Sequence, residues 1–224
     1  MLSLILAAIF FVAIHLGIAG TRLRDRAVAA LGGKGYQAAF SVASIAGLAW
    51  LALAYRGAPY LPSWGLLLWW KPVAVALMLP ATLLVVIGLT TPSPTAVAQE
   101  ARLAQPATGI LRVTRHPFLI GTGIWALVHL IGNGDAASLV LFGSLTLVAF
   151  AGTLSIDAKR RRGAGAAWER FAAETSILPF AAIAQGRNQF CPGEIGAKRW
   201  LAGLVVYALL LGAHGPVIGI SPFP

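Results

Sequence analysis

Six apolar stretches, each near the length needed to cross a bilayer, occupy most of this 224-residue chain. They run over about Leu2 to Ala19, Ala38 to Tyr55, Val73 to Leu89, Pro117 to Gly132, Ser138 to Ile156 and Trp200 to Ile220. A hydrocarbon core about 30 Å thick is crossed by about 20 apolar residues in a helix, or by about 10 alternating residues in a strand. These runs are continuous, so helices are expected and a barrel is not. With 58% hydrophobic and 11% charged residues, the chain is too apolar for a soluble domain. The expected fold is therefore all-α: a polytopic membrane protein, one domain over residues 1–224, built as a bundle of about six transmembrane helices. The fourth run is the shortest, and Ile110 to Val113 is expected to prolong its helix unless neighbours shield it.

The formal net charge of +10 would suggest nucleic acid if the bases shared one folded surface. Here they follow the loops instead, and no nucleic-acid partner is expected. Loops one, three and five carry fifteen of the 17 Lys and Arg residues, and only Arg56 and Lys71 lie on the other side. Positive loops stay cytoplasmic. The expected topology has the odd loops cytoplasmic and both termini outward, which is periplasmic if the membrane is a bacterial inner membrane. The first apolar run precedes its positive charges, which is the reverse of a secretory signal, so it is expected to be retained. Cys191, the single cysteine, carries no disulfide framework.

The long fifth loop, from Asp157 to Arg199, has its own pattern. Gly163 and Gly165 break a helix after the Lys159 to Arg162 cluster, and Trp168, Phe171 and Thr175 then recur at spacings of three and four. Such a stripe predicts a short interfacial helix on the cytoplasmic side. Prolines at 59 and 62 predict a capping turn in the second loop, and Gly132 to Asp135 a tight turn in the fourth.

All four histidines, His15, His116, His129 and His214, lie within or at the mouth of apolar runs. An imidazole in hydrocarbon needs a hydrogen-bond partner, a metal or a wet cavity. His116 and His129 sit thirteen positions apart, roughly 20 Å along one helix, so one small metal cannot bind both. HExxH is absent, but iron in a porphyrin needs only one or two imidazoles. Depth along the helices favours His129 with His214, both roughly 6 to 8 Å outward of the midplane. His116 instead sits between Arg115 and Pro117 at a helix start, a corner suited to binding a ligand. Asp157 closes the fifth run on the same side, where pairing with Arg115 is expected.

The stretches LSLILAAIFFVAIHLGIAG, GLTTPSPTAV, ILRVTRHPFLIGTGIWALVHLIGNGDAASLVLFGS and TSILPFAAIAQGRNQF resemble the NnrU family of six-helix membrane proteins. That resemblance implies a role in denitrification, with nitrite and nitric oxide reductases as partners. The same domain is shared with the zeta-carotene isomerases, which implies haem b, an isomerase-like or redox-sensing activity and a hydrophobic small-molecule substrate drawn from the lipid bilayer. It carries the axial histidines to His15 and His129, with His214 as the alternate from depth. A cysteine of those isomerases would fall near Ala126, which cannot ligate. More distantly, RHPFLIG resembles the RHPxYxG motif of isoprenylcysteine carboxyl methyltransferases, with Leu119 in place of the tyrosine. It implies S-adenosylmethionine at Arg115 and His116. A non-catalytic accessory factor for reductase assembly is the third reading.

Overall fold

The structure is a computed structural model, described for residues 1–97 and 99–223. Among the described residues there are helices and no paired strands beyond one isolated bridge, Pro62 to Asp135. Four helices are long and apolar enough to cross a membrane: Leu23–Arg56, Leu68–Thr90, Ala136–Ala164 and Ala197–Ile218. Two shorter apolar helices, Leu2–Ile18 and Pro117–Asn133, match the first and fourth runs. The chain divides into two compact units, Met1–Leu68 with Ala126–Ser155 and Trp69–Trp125 with Ile156–Pro224.

The first unit begins with α1 (Leu2–Val12), which continues as a π-helical turn over Ala13–Ile18, and α2 (Leu23–Arg56). The expected first loop is itself helical from Leu23, because leucines and alanines there favour helix. The break comes at Gly32, whose φ of 73° only glycine adopts cheaply. α1 packs on α2, antiparallel, since the Trp50 indole N–H donates to the Ser3 hydroxyl at 3.0 Å while His15 meets Ser44. Gly47 makes room between them, as a side chain there would meet the Phe10 and Phe11 rings. The second-loop turn caps this unit as expected: the amides of Ser63, Trp64 and Gly65 all donate to the Gly134 carbonyl. Asp135 accepts from the Ser138 amide at 3.0 Å, which caps the following helix.

The second unit pairs α3 (Lys71–Thr90) with the C-terminal helix, Ala197–Ile218. Their antiparallel register is set by Tyr207 Oη donating to the Val75 carbonyl at 2.8 Å and Arg199 Nε to the Thr90 carbonyl at 3.2 Å. Between them in sequence come α4 (Ile110–Val113), α5 (Pro117–Asn133), α6 (Ala136–Ala164), α7 (Ala166–Glu174) and α8 (Ala181–Ala184), so the C-terminal helix is α9. α5 and α6 each contribute residues to both units.

Two expectations change. Of the two alternatives for the short fourth run, Ile110–Val113 does not prolong α5, since Thr114 is extended (φ −154°, ψ 142°) and α4 is a separate buried turn, while Ile120, Ala126 and Val128 of α5 are shielded by neighbours. Pro117 drives the residue before it out of helical geometry, so the break falls just upstream. The stripe on α7 is not laid on lipid either. Trp168 and Phe171 are buried and the helix packs on the turn Glu100–Ala104. Gly163 is absorbed into α6, and Gly165 alone, at φ 47°, separates the helices.

Candidate functional site

His15 lies on the π-helical turn, where the Ala19 amide reaches back five residues to the Ile14 carbonyl at 3.0 Å. Single π turns inside helices recur at functional sites because they turn side chains out of register. The Nδ1 of His15 stands 2.8 Å from the Phe11 carbonyl, and a carbonyl only accepts, so Nδ1 carries the proton. Nε2 is thereby left with its lone pair, which accepts from the Ser44 hydroxyl at 3.2 Å. The ring is held between Phe11 and Phe40, at centroid distances of 4.2 and 5.2 Å. His129, on α5 in the same unit, stacks on Phe142 at 5.2 Å and 29°. Ala126, one turn before it, is fully buried.

His214 belongs to the second unit and spends its Nδ1 on the Ile220 carbonyl at 2.7 Å, tying down the chain after α9. His15 and His214 thus share one pattern, Nδ1 on a backbone carbonyl. In His15 one nitrogen fixes the tautomer and ring orientation, and the lone pair of the other is engaged by the Ser44 hydroxyl. Among the described residues no three His, Cys, Asp or Glu side chains gather as a bare-metal site.

A second cluster is built in the other unit. His116 accepts the first helical bond of α5, from the Ile120 amide at 2.9 Å, so Arg115 and His116 are held at the helix mouth. The strand-like segment around them is pinned on both sides: the Arg115 amide donates to the Ser176 carbonyl at 3.0 Å, and the Thr95 hydroxyl donates to the Arg115 carbonyl at 2.8 Å. Asp157 on α6 receives both side chains. Arg115 Nε and Nη2 donate to its Oδ2 at 2.9 and 2.5 Å, and His116 Nε2 to its Oδ1 at 2.7 Å. Arg115 Nη1 takes the Thr175 carbonyl at 3.1 Å, and its guanidinium lies 5.8 Å from the buried Trp168 ring. Burial holds the His116 pKa below the ordinary imidazole range, and the Asp157 carboxylate offsets that only in part.

The expected Arg115 to Asp157 pair is thus present, with His116 as a third member. The sequence reading missed Ser44, Phe40 and Phe142 around the histidines. Ser44 could have been noticed as a hydroxyl inside an apolar run, where polar groups need partners; the phenylalanines carry no signal apart from their neighbours in space.

The fold and these clusters define an all-helical protein whose apolar helices suit a lipid bilayer. The NnrU protein family profile matches residues 3–222, and the chain belongs to that family. A segment of 111 residues is 37% identical to the chloroplastic 15-cis-zeta-carotene isomerase of Arabidopsis thaliana, covering 48% of this chain and 29% of that protein. The protein of the same name from Zea mays is 31% identical over 120 residues, 53% of this chain and 32% of its own length. The chain thus spans about a third of the length of these relatives. No solved structure matches it.

Proposed function

We propose that this chain is a haem-binding, isomerase-like protein of the bacterial inner membrane, acting in denitrification or nitric oxide handling, with six spans and both termini periplasmic. The observation that carries the reading is His15: a histidine on a π turn, its Nδ1 proton given to a backbone carbonyl and its Nε2 lone pair turned to the Ser44 hydroxyl, which an iron would have to displace. Two relatives named as isomerases support the activity class. Four long apolar helices and two shorter ones of matching character support six spans. His15 and His129 would hold b-type haem, which supplies redox-active iron able to polarise or exchange electrons with an unsaturated substrate. Phe11, Phe40 and Phe142 would keep water from the imidazoles and orient them. We read the Arg115 and His116 corner as a structural clamp, because both donors are spent on Asp157; S-adenosylmethionine would have to compete with that carboxylate.

The test is the absorption spectrum of protein purified in detergent with haem supplied. Wild type is expected to show a Soret band that shifts on reduction. His129→Ala is expected to lose most bound haem, His15→Ala to change its spin state, and His214→Ala to leave the spectrum unaltered. A folded wild-type protein that takes up no haem would sink this reading.

A further inference from the structure

Where α3 ends and α9 begins, the second unit holds a cavity of about 210 Å³ whose walls include Thr91, Arg102, Gln105, Thr108, Glu194 and Arg199. A more open hollow shares Ile195 and Arg199 with it and reaches Thr90 and Lys198. Its charge is unbalanced. Glu194, the acid in the wall, is already neutralised: Arg112 grips it through Nε at 2.7 Å and Nη2 at 2.9 Å, and the Gly109 amide adds a third bond at 2.7 Å. Among the described residues, the Arg102 guanidinium hydrogen-bonds only to the Gln105 side chain, at 3.2 Å. The Arg199 guanidinium, among the same residues, hydrogen-bonds only to the backbone carbonyls of Thr90 and Ile195. Neither guanidinium has a carboxylate partner among the described residues.

Place fixes the ligand class. Thr90 ends one candidate membrane span and Ala197 begins another, so the cavity opens at the level where helix ends meet lipid headgroups. The volume is below the roughly 300–1,000 Å³ that encloses a drug-sized molecule, which suits a headgroup whose chains stay outside. Beyond Arg199, α9 exposes Leu201, Leu204 and Val205, an apolar face on which acyl chains can lie. We infer that this cavity binds a phosphate-bearing anionic group through Arg102 and Arg199, the phosphodiester of an anionic lipid such as phosphatidylglycerol.

The site is independent of the haem reading, and its test does not use haem. Wild-type protein in detergent is titrated with phosphatidylglycerol or phosphatidylcholine, and retained lipid is counted by native mass spectrometry. Inorganic phosphate is titrated in parallel by calorimetry. Phosphatidylglycerol is expected to bind in preference to phosphatidylcholine, and Arg102→Gln with Arg199→Gln to weaken it about thirtyfold, at about a factor of five per base. The control, Arg161→Gln with Arg162→Gln, removes the same charge from an exposed part of α6 and is expected to leave retention unchanged. Because Arg199 also braces two carbonyls, Arg102→Gln alone serves as the variant that disturbs no backbone contact; it is expected to weaken retention about fivefold. Saturable inorganic phosphate binding lost in the cavity variant, without selective lipid retention, would assign the same site to a soluble phosphate. An equal fall in both double variants, or no retention of either ligand, would overturn the inference.

Discussion

Replacing Asp157 with alanine is expected to cost about 3–5 kcal/mol of stability, because it strands a buried arginine and leaves a buried imidazole without its acceptor. The side chains of Arg115, His116 and Asp157 are 12, 1 and 8% exposed, so water cannot substitute for the missing carboxylate. Asp157→Asn is expected to cost less, since the amide oxygen still accepts one bond, but a neutral group no longer balances Arg115. Thermal unfolding in detergent, followed by circular dichroism, measures both. An Asp157→Ala protein that melts like wild type would show that the cluster contributes nothing to the fold. The pH dependence follows from His116. Burial lowers its folded pKa beneath the unfolded value near 6.5, so between the two values the unfolded chain binds a proton that the folded chain refuses. Stability is then fully present above pH 6.5 and declines as pH falls toward the folded pKa. His116→Gln is expected to flatten that decline, while wild type retains it.

Much of this fold was legible because membrane spans are written in one variable, the length of an apolar run. Val73 to Leu89 became Lys71–Thr90 and Trp200 to Ile220 became Ala197–Ile218. The Arg115 to Asp157 pair was legible for a related reason: two opposite charges at the same end of apolar helices have few other partners. What remained hidden depends on packing. The α7 stripe of Trp168 and Phe171 has a period that fits lipid or protein equally, and only the turn at Glu100–Ala104 decides between them. The π turn at His15 is set by one backbone bond, Ala19 to Ile14, which leaves no compositional trace. Equally silent was the cavity at Arg102 and Arg199, since its charge depends on Glu194 being taken by Arg112.

Gly121→Leu is expected to be the other severe change, and it tests how the Arg115 and His116 corner is held in place. A Cβ at Gly121 would fall 2.6 Å from the Ala81 carbonyl oxygen and 2.9 Å from the Val85 amide nitrogen, both backbone atoms of α3. One turn nearer the corner, Gly88 on α3 meets the Phe118 amide and the Pro117 ring in the same way. Two glycines, one on each helix, thus let the backbones of α3 and the start of α5 touch, the small-residue packing that drives association where lipid tails remove the hydrophobic advantage. A side chain at either position must push whole helices apart, because no rotamer change can move a carbonyl. Overpacking of this kind costs about 1–3 kcal/mol and can exceed it against backbone. Gly121→Leu is expected at or above the top of that range, Gly121→Ala within it, and Gly212→Ala, whose Cβ meets nothing within 4 Å, near zero. The same melts give the order of stability. If Gly121→Leu proves as stable as Gly212→Ala, α3 and α5 do not rely on this contact, and the corner must be held by Asp157, the Thr95 hydroxyl and the segment at Thr175 and Ser176.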